Sequence, residues 1–382
     1  MSRAGTTSMR HAGIDRLRGL AIVLVVLHHL GLRMPLRDTA LGDWLPRRLL
    51  NALNYNGYEA VFVFFVISGF LIAGNALDRW GDLTRIDLAT FYRRRASRIL
   101  PCLLALVGVL ALLHALNVPD YVIERPGQSL GGAVASALGL YLNWYEGQTG
   151  YLPGNWDVLW SLSIEEAFYL GFPLVCLLTR RRAVLVPLLV LLALSLPWSL
   201  ASIAGNEVWK EKAYLPGMAA IATGILGALW VRAWPPAARD ARALRWFGGA
   251  AMLAMMTLTA SWLWRTMRDG VMLMLTVATL CLLVGMSPSA PSRNRLRGFG
   301  WLESWGRLSY EIYLTHMFVV FTAVRLWRAM GGDPRAGLWW YLPTLLLAWW
   351  LGWLVARAFS QPCERWLRGR GSVPSIAGGT SA

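Results

Sequence analysis

Residues Arg16–Leu30 read RLRGLAIVLVVLHHL, an apolar run from Gly19 to Leu27 with arginine at one end and two adjacent histidines at the other. With its flanks the run has the length of a membrane-spanning helix. A plain anchor needs neither the arginine nor the histidines. On an α-helix, eleven residues turn through about 1,100°, three turns plus about 20°, so Arg18 and His29 share one face about 16 Å apart along the axis. His28 points about 100° away from that face. Such a polar stripe is costly in lipid unless it lines a ligand-filled cavity or bonds a neighbouring helix. Spacing alone leaves both readings open. The leader is basic, as in a secretory signal, but no A-x-A-like site follows, so the segment is read as a retained first span.

The rest of the chain has the same character. Of 382 residues, 56% are hydrophobic and only 15% are charged, and mean hydropathy is +0.45. Long apolar runs recur throughout, separated by short basic or Gly/Pro-bearing stretches, the pattern of an all-α polytopic membrane protein. The alternating ten-residue segments of an outer-membrane barrel are absent. The spans expected are about 14–32, 58–75, 99–116, 158–178, 183–203, 216–233, 246–264, 270–286, 309–328 and 338–359. A shorter glycine-bearing piece, 130–142, is either an eleventh span or a re-entrant helix.

Charge arbitrates. The formal net charge is +16, yet only Lys210 and Lys212 among the 37 cations are lysines, and most cations flank apolar runs. That placement serves topology and lipid headgroups rather than nucleic acid, which needs a soluble basic face. If 130–142 does not cross, 25 cations fall on the cytoplasmic side and 11 outside, with Arg325 inside a span. About ten transmembrane helices with both termini cytoplasmic follow from that bias. The expected organisation is a cytoplasmic leader at 1–13, one membrane domain at 14–365 and a disordered tail at 366–382. The four cysteines form no CxxC pair, so neither a disulfide framework nor a metal site is expected.

Four further stretches carry polar groups in apolar surroundings. In GYEAVFVFFVISGFLI, Gly57–Ile72, the Ser68-Gly69 step is a small notch that suits close helix packing. In FYRRRASRILP, Phe91–Pro101, Arg93, Arg94, Arg95 and Arg98 precede a span. They suit topology control, and equally the arginine forks that match phosphate oxygens. In NWDVLWSLSIEEAFYL, Asn155–Leu170, Glu165 and Glu166 need a partner so near the membrane. They either orient a histidine or belong to a capped helix entry. In WGRLSYEIYLTH, Trp305–His316, Glu311 and His316 belong either to the same cavity or to a separate packing contact.

Taken in order, these five pieces resemble the integral-membrane acyltransferase family 3, whose hallmark is an arginine, ten intervening residues and a histidine in the first span. Arg18 and His29 match it, and the resemblance covers about residues 10–365. It implies transfer of an acyl group, most often acetyl, from cytoplasmic acyl-CoA (acetyl-CoA) to a hydroxyl of a cell-surface or exported glycan or glycolipid. It also implies a multi-pass protein of the bacterial inner membrane, with acyl-CoA as co-substrate and no permanently bound cofactor. The catalytic residues implied are His29, Glu165 and Arg18. Arg18, Arg93, Arg94, Arg95 and Arg98 would hold the coenzyme A phosphates, and Glu166, Ser68 and His316 would bind substrate. His29 is then a general base or an acyl carrier, and Glu165 fixes its tautomer or binds the acceptor. Some similar proteins carry a secreted esterase-like domain; none is expected here, so the membrane part or a partner completes the transfer. The alternative is a proton-coupled transporter of a small molecule or glycolipid, which intramembrane His, Glu and Arg also suit.

Overall fold

A computed structural model of the protein describes residues 12–203, 205–258, 270–287 and 298–369. Most of the expected leader 1–13, the end of the expected span 246–264 and residues 370–382 of the expected tail lie outside these. Among the described residues the regular structure is helical, with no strand. The principal helices are α1 (Ala12–Gly31), α2 (Arg47–Tyr55), α3 (Gly57–Trp80), α4 (Leu88–Ala115), α5 (Leu130–Leu138), α6 (Leu142–Thr149), α7 (Gly154–Asp157), α8 (Trp160–Thr179) and α9 (Arg182–Leu194). After these come α10 (Leu196–Ala201), α11 (Glu207–Lys212), α12 (Tyr214–Ala233), α13 (Ala238–Leu258), α14 (Gly270–Met286), α15 (Gly300–Arg307), α16 (Ser309–Ala329), α17 (Tyr341–Val355) and α18 (Gln361–Gly369).

Each apolar run of the sequence carries a helix, and the departures have local causes. The run at 99–116 belongs to a helix that starts at Leu88, because Asp87 caps it by accepting from the Thr90 N–H at 2.8 Å. The apolar pattern marks only the immersed part, while the arginines before it are good helix formers too. The run at 183–203 breaks at Ser195 into α9 and α10, with Pro197 in the first turn of α10, where a missing N–H costs no bond. The run at 338–359 ends in a π-helical turn, Ala356–Ser360, next to Pro362, which has no N–H to offer the turn before it. The 130–142 piece gives α5, nine residues capped by Ser129. Such a helix is only about 13 Å long, less than half of a hydrocarbon core about 30 Å thick.

Apolar side chains fill the interior and also cover much of the exterior. Leu104, Leu112, Leu178, Leu191, Leu342 and Leu346 face outward, while Asp15, Glu59, Glu146, Lys212, Glu311 and His316 are buried. Among the described residues five helical stretches, Gly57–Trp80, Leu88–Ala115, Gly154–Thr179, Glu207–Ala233 and Pro334–Gly369, are long and apolar enough to cross a membrane. This is the exterior of a membrane protein. α1 sits inside the bundle against α3, α15 and α16, and α3 packs closely on α12. A Cβ on Gly69 would lie 2.0 Å from the Ile221 carbonyl oxygen, and one on Gly224 would lie 1.9 Å from that of Val66. The two backbones touch through this reciprocal glycine pair, which fixes the face α3 turns toward α8 and α16.

Candidate functional site

α1 is one uninterrupted helix, so the shared face and the axial separation of about 16 Å between Arg18 and His29 hold.

At the arginine end lies a cavity of about 180 Å³ bounded by Arg18, Ser68, Arg95, Arg98, Glu165, Tyr310 and Tyr313 among apolar neighbours. Arg18 donates to Ser309 Oγ at 2.8 Å. Ser68 donates its hydroxyl to Glu165. Arg95 pairs with Glu166 and, at 3.3 Å, with Glu165, and its guanidinium lies 4.0 Å over the Tyr169 ring. Three cations thus line one cavity.

The sequence expectations are sorted by this geometry. Arg18, Arg95, Arg98, Ser68 and Glu165 converge on the cavity. Glu166 stands behind, spent on Arg95, and Arg93 and Arg94 are exposed on α4 away from the lining. Ser68 and Gly69 divide the two roles of their step: adjacent helical residues point about 100° apart, so the glycine meets α12 while the serine meets the cavity. Glu311 is a packing contact, accepting from Ser360 Oγ at 2.8 Å.

At the other end, the His29 ring lies 5.1 Å, centroid to centroid, from the fully buried His316 ring and 5.3 Å from His28. The residue beside His29 is therefore His316 rather than Glu165, whose partners are Ser68 and Arg95. His28 is turned aside, with Nδ1 3.1 Å from the Asn54 carbonyl. Tyr313 joins the two ends. It lines the cavity, its ring lies 5.9 Å from His316, and its hydroxyl donates to the Val158 carbonyl at 2.9 Å. That proton being used, Ser161 donates to the Tyr313 oxygen, 2.7 Å away.

Beyond His29 opens a second cavity, of about 400 Å³, bounded by Arg33, Asp120, Glu124, Gly154, Phe321 and Arg328. Arg33 donates to the His29 carbonyl at 2.9 Å and lies 4.7 Å over the Phe321 ring.

Several site residues escape sequence reading. Lys212 is fully buried and paired with Glu146 at 2.7 Å and with Asp157. Lys212 and Asp157 are close enough to act electrostatically on His29 and His28 respectively. The sole hint is that Lys210 and Lys212 are the only lysines of the chain. Their polar neighbours give Lys212 the look of a loop charge. Tyr313 sits in an aromatic-rich helix where nothing distinguishes it. Among the described residues, no group of three or more His, Cys, Asp or Glu is arranged to hold a metal ion.

Residues 11–370 match the profile of a protein family described as an acyltransferase domain. Over 241 residues, 59% of this chain, the sequence is 29% identical to "O-acetyltransferase OatA" of Staphylococcus aureus strain NCTC 8325, covering 35% of that protein. Over 332 residues, 81% of this chain, it is 24% identical to "Putative O-acetyltransferase SACOL0978" of S. aureus strain COL, covering 50% of it. The chain thus spans about a third to a half of the length of these curated relatives. No solved structure matches it significantly. With a helical membrane fold, a cation-lined cavity, two neighbouring imidazoles and a profile match over nearly its whole length, the chain belongs to the family 3 acyltransferases.

Proposed function

We propose that the protein transfers an acyl group, most often acetyl, from cytoplasmic acyl-CoA to a sugar hydroxyl of a surface or exported glycan. It does so from the bacterial inner membrane, with both termini cytoplasmic and ten spans. The observation that carries this reading is that Tyr313, which bounds the three-arginine cavity, has its ring 5.9 Å from His316, itself 5.1 Å from His29. The O-acetyltransferase names of the relatives agree with it.

The donor set suits coenzyme A. Guanidinium forks match phosphate oxygens, and Arg18, Arg95 and Arg98 all bound the cavity. A cavity of about 180 Å³ is below the roughly 300–1,000 Å³ that encloses a drug-sized ligand. It therefore takes the narrow pantetheine arm and leaves the nucleotide outside, against the basic start of α4. An extended arm then covers the distance to His29. The acceptor enters through the second cavity, where Asp120, Glu124, Arg33 and Arg328 offer hydrogen-bond partners to sugar hydroxyls.

In the transfer, the hydroxyl oxygen attacks the thioester carbonyl as His29 removes its proton. The C–S bond breaks, and the proton passes to the departing thiolate. A positioned general base contributes about 10²–10⁴-fold. Purified His29→Ala, checked for folding in detergent, should transfer radiolabelled acetyl from acetyl-CoA at least about 100-fold more slowly. A rate equal to wild type removes His29 from the chemistry. Mass spectrometry of surface glycans with and without the protein should show about 42 Da per acetylated sugar.

A further inference from the structure

Resting on the transfer reading above, we infer that His316 is a positioning residue for His29: its Nε2 accepts the His29 N–H and so turns the other His29 nitrogen, lone pair outward, toward the acceptor hydroxyl. The argument starts from a tautomer that the backbone dictates. His316 Nδ1 lies 2.8 Å from the Tyr313 carbonyl oxygen and 3.1 Å from that of Ile312. Both are acceptors, so Nδ1 carries the hydrogen. In the neutral ring Nε2 then holds a lone pair and no proton. Nε2 is buried and has no hydrogen-bond partner among the described residues, and His316 itself is 0% exposed.

A buried acceptor left without a donor is disfavoured. The donor that can reach it is the neighbouring imidazole. An N–H···N bond of about 2.9 Å between two imidazoles puts their centroids about 5 Å apart, and the observed separation is 5.1 Å. A half-turn of the His29 ring exchanges its nitrogens and carbons without moving its centre, so the ring presents an N–H to His316 Nε2 from the same position.

The consequence for the reaction is specific. A histidine that donates one N–H has its base nitrogen defined. Catalytic histidines often use a carboxylate for this; here Glu165 and Glu166 are held at the arginine end by Ser68 and Arg95, and Asp157 is paired with Lys212. A neutral imidazole orients His29 without adding charge to the interior. It also relays: as His29 takes the hydroxyl proton at one nitrogen, its other N–H is shared with His316 Nε2, and no bond to either ring carbon or to the acyl group changes.

Two measurements test this. First, solid-state NMR of ¹⁵N-histidine-labelled wild-type protein, compared with His316→Gln, assigns the His316 signals without any activity. The expected result is a neutral ring protonated at Nδ1 and bare at Nε2; a ring protonated at Nε2 overturns the inference and leaves the transfer reading untouched. Second, acetyl transfer from acetyl-CoA is compared in wild type, His316→Leu and His316→Gln. Leucine cannot accept a hydrogen bond and should lower kcat about 100-fold with KM for acetyl-CoA unchanged. The glutamine carbonyl can accept one and should restore at least tenfold of that loss. Equal impairment of the two variants, or a leucine variant within twofold of wild type, overturns the positioning role. Wild-type protein that transfers no acetyl fails the underlying reading and this role with it.

Discussion

Replacing Lys212 with methionine tests whether the interior charge beside the histidines is integral to the fold. Lys212 and Glu146 are each 0% exposed, whereas Asp157 keeps 19% of its side-chain surface. Methionine matches the length of the lysine stem but leaves two adjacent carboxylates without a cation. Breaking a buried ion pair by removing one partner costs about 3–5 kcal/mol. Most of that falls on Glu146, because Asp157 can turn to solvent. Unfolding entropy of about 2.1 cal/mol/K per residue gives about 0.8 kcal/mol/K for a chain of this length, so Tm should fall about 4–6 °C. Heating in detergent with a thiol-reactive dye reads the transition, since Cys102, Cys176 and Cys281 are buried and become reactive on unfolding. Adding Glu146→Gln to the methionine variant removes the stranded charge while still accepting the Leu152 N–H, now 2.8 Å from Glu146. The double variant should recover more than half of the loss. The pH dependence has a definite sign. Burial already raises the folded-state pKa of Glu146 above its unfolded value, and losing the lysine, whose charge opposes that shift, raises it further. The penalty is then absent below the unfolded pKa, grows as pH rises toward the folded pKa and persists above it. The Tm gap should be wide at pH 7.5 and narrow near pH 4. A methionine variant within 1 °C of wild type at pH 7.5, or a double variant no better than the single one, refutes the reasoning.

Three further outcomes follow from the same geometry. Arg18→Gln loses a cation at the cavity mouth and should raise the Kd for acetyl-CoA about 10- to 100-fold, the worth of one charged hydrogen bond; isothermal titration in detergent checks it, and an unchanged Kd moves the donor site elsewhere. Arg95→Met leaves Glu165 and Glu166 facing each other and, being partly solvated, should cost about 1–3 kcal/mol; it should also halve or worse the transfer rate, and a fully stable, fully active variant discounts the network. Gly69→Leu drives a side chain into the Ile221 carbonyl and should separate α3 from α12, costing at least about 1–3 kcal/mol, read as earlier thiol exposure on heating; Gly69→Ala should show the same sign with a smaller shift.

What the sequence alone determined about this protein is what short-range periodicity can encode. Every apolar run carries a helix because a run of such residues has one way to satisfy its backbone in lipid. Arg18 and His29 share a face because an eleven-residue interval nearly closes three helical turns, and α1 needs no neighbour to enforce that. The notch at Ser68-Gly69 was legible as a packing site, though not its division of labour. Tertiary structure decided the rest. Glu165 could pair with a histidine or with an arginine as far as its own helix is concerned. Which one it meets depends on how α8 rotates against α3 and α4, and its partners lie 97 and 70 residues away. His316 comes beside His29, and Lys212 is buried rather than solvated, for the same reason. Helical periodicity fixes which residues share a face, but the neighbour that face meets is set by the packing of all the helices together, and that information is not local to any stretch of chain.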